Sequence, residues 1–136
     1  MDNFDRLVQF VDLHTSNGTQ ELPEIFGEGV GAEDLGVEYL NQFTDLDWLN
    51  LQINLQERSD NWIEALIFML IHINNHNSRY LLGQIVLLGS EESSLTAIEH
   101  VRDFINELNH QVREQIETKI SRIISSRVKK IVSRID

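Results

Sequence analysis

A chain of 136 residues with 41% hydrophobic content is long enough for one domain with a real core, which sets aside disorder throughout. It has no cysteine, so disulfide scaffolds, thiolate metal sites and thiol catalysis are excluded together. Its net charge of −11 is unevenly placed: residues 1–64 carry 14 acids against Arg6 and Arg58, whereas residues 119–135 carry six bases and no acid. An acidic body repels nucleic acid and attracts basic proteins. No apolar run approaches the ~20 residues that span a bilayer, and the first residues lack the order of a signal peptide, so a cytoplasmic protein is expected.

Phe4, Leu7, Val8 and Val11 mark one face of a first helix, widened by Phe10 and stopped at Asn17-Gly18, which gives an N-terminal helix over residues 1–18. Over residues 19–36 the pattern changes. Pro23, Gly27, Gly29, Gly31 and Gly36 interrupt any period among Glu21, Glu24, Glu28, Glu33 and Asp34, which predicts a long acidic loop. A loop of that length in a small domain is a first place to look for a partner site, and its Leu22, Ile25 and Phe26 suit either the core or a partner. A short helix is expected over residues 33–43, weakened by Gly36.

Residues 48–74 lie over residues 80–106 at a constant offset of 32 without a gap. Seven of the 27 pairs are identical, among them Leu49/Leu81, Ile53/Ile85, Leu55/Leu87 and Ala65/Ala97, so the chance of coincidence is small and an internal repeat follows. That period belongs to stacked helix pairs, each of which needs a neighbour to bury its apolar face. The expected fold is therefore all-α, with two helical repeats over residues 45–108. In the first repeat Asp45 caps a helix whose Leu46, Leu49, Ile53 and Leu55 face inward. Ser59, Asp60 and Asn61 then make a turn and a cap, with Glu64 three residues after Asn61 as in a capping box, and open a helix apolar nearly all round, hence central. Ser78 caps the next helix, and Ser93 or Ser94 the one after it.

A third, degenerate unit begins near His110 and continues as one amphipathic helix to residue 135, with Ser125-Ser126 as a candidate break. Ile120, Ile124, Val128, Ile131, Val132 and Ile135 share one side. Lys119, Arg122, Arg127, Lys129, Lys130 and Arg134 lie largely opposite. Its expected role is to close the stack against the acidic body of the same chain, with a homotypic or partner helix as the next reading. Neither nucleic acid nor a membrane is the expected partner, and membrane binding lacks a Trp or Phe anchor on the apolar side.

The candidate chemistry is thin. His72 and His76 have the spacing of a two-histidine metal seed but lack the glutamate of the metalloprotease pattern. His100 with Asp103 and His110 with Glu114 read equally as acid–base pairs and as salt-bridged surface neighbours. No nucleophile or phosphate loop accompanies them, so neither an enzyme, a metal nor a cofactor is expected. Trp48 and Trp62, with Tyr80 at the equivalent of Trp48, are expected to pack in the core.

Asn61-Trp62-Ile63-Glu64-Ala65-Leu66, followed by Ser78-Arg79-Tyr80-Leu81-Leu82-Gly83-Gln84-Ile85, resembles HEAT-like helical repeats. In a small, acidic, cysteine-free chain the combination is similar to the all-helical immunity proteins of bacterial polymorphic-toxin and contact-dependent inhibition systems. The resemblance implies a cytoplasmic antitoxin that binds and blocks one cognate toxin without catalysis, with a small scaffold or adaptor as the alternative. A basic toxin, for example a nuclease, suits the charge. The acids expected to meet it are Glu28, Glu33, Asp34, Glu38, Asp45 and Asp47, which lie within 20 residues of one another.

Overall fold

The computed structural model describes residues 2–15, 32–73 and 75–135, and every regular element among them is helical. In chain order these are α1 (Asn3–Thr15), α2 (Ala32–Asn41), α3 (Asp45–Asn54), α4 (Asp60–Leu70), α5 (His76–Leu88), α6 (Glu91–Val101) and α7 (His110–Ile135). Short 3-10 turns, Leu55–Glu57 and Ile105–Glu107, follow α3 and α6. The helix α2 starts inside the stretch expected to be loop. Residues 16–31, with the expected stop at Asn17-Gly18 and with Leu22, Ile25 and Phe26, lie outside the described residues.

Side-chain caps open the helices, because the first backbone N–H groups have no partner within the helix. Thr44 and Asp47 form a capping box on α3, Ser59 caps α4, Asn75 and Ser78 box α5, and Ser90 caps α6. These replace the expected caps at Asp45, Asn61, Ser78 and Ser93 or Ser94. Each stretch offers several capping residues in a row, and propensity does not choose between them. Burial does: Ser78, Ser93 and Ser94 are fully enclosed. The Ser78 hydroxyl donates to the Ile73 carbonyl at 2.5 Å and that of Ser94 to the Val86 carbonyl at 2.8 Å, so each is satisfied inside.

The helix α4 is central, as its all-round apolar sequence requires: Trp62, Ile63, Ala65, Leu66, Ile67, Met69 and Leu70 are all buried, and α1, α2, α5 and α6 touch it. Both tryptophans are core residues. The Trp62 indole donates to Asp12 at 3.0 Å, and the Arg58 guanidinium lies 5.0 Å over its ring and 3.8 Å from the same carboxylate, which ties α1 to the start of α4. Gly36 does not break α2. A Cβ there would overlap the Met69 sulfur and come within 3.0 Å of Phe10, so the missing side chain lets α2 lie close on α4 and α1.

Beyond α4, the helices α5 and α6 form the most extensive helix–helix contact, α3 touches α5, α4 touches α6, and α5 touches α7. α7 is unbroken across Ser125-Ser126. Ile116 and Ile123 are buried, with Val112 and Ile120 packed beside the core, while every residue from 124 to 133 is exposed. The second half of α7 thus projects past the body instead of closing it.

Candidate functional site

Six acids were expected to converge, and the structure distributes them. Glu28 lies outside the described residues. Glu33 and Asp34 stand in the first turn of α2, where the backbone is described and the side chains are not. Glu38, further along α2, and Asp45, in the first turn of α3, are exposed. Asp47 is buried, and its carboxylate accepts from the Thr44 N–H at 2.9 Å, so it is committed to the capping box of its own helix.

Beside Asp45, α3 meets the sequence expectation at Trp48 and Leu55 and reverses it at three other positions. The face of α3 that enters the core is Trp48, Leu51 and Leu55, with Phe43 edge-on to Trp48 at 5.2 Å. Leu46, Leu49 and Ile53, expected to face inward, are exposed at 64%, 51% and 65%. Their spacing puts all three on one side of the helix, opposite the buried one. The helix is apolar on both sides, and only packing selects which is covered. Asp45 stands at the head of this stripe, and residues 32–57 hold six acids and no base.

A second uncovered face lies on α7. Ile124, Val128, Ile131 and Val132 are 51% to 58% exposed. They sit roughly a quarter turn around the helix from Ile116 and Ile123, so the helix cannot present both sets to the body. Two contacts fasten α7 before it projects. The Lys119 ammonium donates to the carbonyls of Leu87 and Gly89, at 3.0 Å each, at the C-terminus of α5, where a cation is favoured. Its partial burial lowers its pKa. The Arg127 guanidinium pairs with Glu91 at 2.8 Å and reaches Glu92 at 3.9 Å, at the start of α6.

The remaining candidates resolve into ordinary structure. α4 ends before His72, and His76 opens α5, so the two imidazoles do not share a helix face. Among the described residues, no group of three or more His, Asp or Glu side chains is arranged to hold a metal ion. His110 and Glu114 form an exposed pair at 3.0 Å along α7. His100 and Asp103 line a small recess of about 170 Å³ with Leu70 and Arg79. The larger concavity, about 870 Å³, is an open groove between α5 and α7 lined by Gln84, Leu88, Gln115, Lys119 and Arg122 among others; no sequence motif announced it. Glu64 has a raised pKa, first from burial, then from repulsion by Asp60 and Glu92, against a hydrogen bond from Thr96 that lowers it.

Among the described residues, no helix is long and apolar enough to cross a membrane. Compared with protein-family models, with curated proteins and with solved structures, the chain matches none.

Proposed function

We propose that this chain is an immunity protein: a cytoplasmic antitoxin that binds a basic cognate toxin, such as a nuclease, and occludes it stoichiometrically without catalysis of its own. The observation that carries the reading is the uncovered Leu46, Leu49 and Ile53 stripe on α3, with exposed Asp45 at its head and Glu38 on the neighbouring helix. An apolar centre with a charged rim is how stable protein contacts are built, and acids on the rim raise the association rate of a basic partner. Glu38 and Asp45 supply that charge in this reading, Glu33 and Asp34 join them on sequence alone, and Asp47 acts by holding the start of α3 in place.

The proposal includes HEAT-like stacking of two helix pairs. The α3–α5, α4–α6 and α5–α7 contacts support it, as does the matched burial of Ala65 with Ala97 and of Met69 with Val101. A small scaffold or adaptor is the second reading, favoured by the exposed second half of α7.

The test is protection of cells that express the toxin domain encoded beside this chain. The parent protects. The triple variant Glu33→Lys, Asp34→Lys, Glu38→Lys keeps its thermal stability yet loses protection and binds the toxin more slowly, with the deficit shrinking as salt is added. Full protection by the variant removes the acids from the inhibitory surface. The lack of any adjacent toxin gene removes the inhibitor reading.

A further inference from the structure

Two apolar helix faces are left uncovered at opposite ends of the acidic-to-basic charge gradient, and they are alike in size. Leu46, Leu49 and Ile53 on α3 span seven residue steps, as do Ile124, Val128 and Ile131 on α7, about 10 Å in each case. Their surroundings are opposite in sign: six acids and no base in residues 32–57, six bases and no acid in residues 119–135. We propose that the projecting half of α7 is an arm that docks on the exposed α3 face of a second copy of this chain.

The geometry and the charges favour this occupant over others. One continuous helix is held to α5 by Lys119 and to α6 by Arg127, with Lys130 and Ile131 beside Glu91 and Glu92, so it does not fold back onto its own α3 and leaves Ile124, Val128 and Ile131 exposed. Pairing of two projecting halves would set Arg127, Lys129, Lys130 and Arg134 of one copy against the same four bases of the other, which repel. On α3 of another copy the arm finds an apolar stripe of its own length and the complementary charge. The two surfaces belong to different elements, so the contact is heterologous: two copies that exchange arms close a dimer, and one-way contacts propagate. The α3 face serves either another copy or a basic partner, and the two exclude each other there. The inference narrows the scaffold reading to one partner. It competes with the inhibitor reading for the α3 face, and the protection assay tests that reading separately.

Sedimentation of the full chain across a range of concentrations is expected to show self-association that weakens about tenfold or more between low and ~0.5 M salt. Two variants separate the faces, and both change only exposed positions: Leu49→Lys with Ile53→Lys removes the acceptor stripe, and Val128→Asp with Ile131→Asp removes the arm. Each alone is expected to stay monomeric with parental helix content. Mixed one to one, they are expected to associate again as a heterodimer, because one supplies the arm and the other the stripe. The proposal is overturned by a parent that is monomeric at every concentration, by either variant associating as the parent does, or by a mixture that stays monomeric. Binding of the arm to anionic vesicles or duplex DNA by a monomeric parent overturns it as well and assigns the arm to that surface.

Discussion

The two aligned segments, residues 48–74 and 80–106, agree at the centre of their second helices and disagree in their first. In α4 and α6 two aligned pairs share an environment: Ala65 and Ala97 are both fully buried, and so, within 1%, are Met69 and Val101, although Ile67 and Leu70 are buried where Glu99 and Arg102 are exposed. In α3 and α5 identical residues do not. Leu49 and Ile53 are exposed at 51% and 65%, whereas Leu81 and Ile85 are covered to 2% and 1%, and Trp48 is buried where Tyr80 is 41% exposed. The difference lies in the neighbours. α5 is enclosed by α3, α4, α6 and α7, while α3 touches α1 and α5 and turns Trp48, Leu51 and Leu55 toward them. Repetition in sequence thus preserves which positions are apolar, and position in the fold decides which of them are used.

The largest expected effect tests the part that agrees. Ala65→Asp and Ala97→Asp each leave an unpaired charge in the core and are expected to cost at least about 3 kcal/mol in denaturant unfolding. A mild effect at one position only would mean that α4 and α6 are not equivalent after all. The part that disagrees is sharpened by alanine at two identical leucines. Leu81→Ala is expected to cost about 2–5 kcal/mol and Leu49→Ala no more than about 0.5 kcal/mol, measured in the same way. Equal costs would place Leu49 in the core.

Removing residues 125–136 asks whether α7 belongs to the helical body along its whole length. Because residues 124–133 are exposed, the truncated chain is expected to melt within a few degrees of the parent, the main loss being the Arg127 pair with Glu91 and Glu92. Aggregation or a large drop in melting temperature would show that the second half closes the stack, as its sequence alone suggested.

The smallest effect is the pH dependence at Glu64, on the helix that the repeats share as a core. Its folded pKa is raised, so the fold disfavours the ionised form: the penalty is present above the folded pKa and absent below the ordinary glutamate value. Glu64→Gln is therefore expected to be slightly more stable than the parent near neutral pH, with the difference fading as pH falls through the acidic range. A thermal-melt series from pH 4 to 7 reads it, and a difference of opposite sign would mean that the Thr96 hydrogen bond outweighs the repulsion of Asp60 and Glu92.

Much of the architecture was already legible in the residues. An unbroken apolar circumference from Trp62 to Leu70 can be satisfied only at the centre of a helical fold, and the offset of 32 residues aligns α3 with α5 and α4 with α6. The distribution of charge is likewise a property of the chain alone. Three matters depended on tertiary structure. Capping passed to Asn75 and Ser90 because the later serines, Ser78, Ser93 and Ser94, were needed inside. Gly36, which reads as a helix breaker, became the point where α2 lies close on Met69 and Phe10. The uncovered stripes of α3 and α7 were hidden in the sequence because each helix is apolar on more than one side: periodicity counts the sides, and only the neighbours that arrive decide which one meets water.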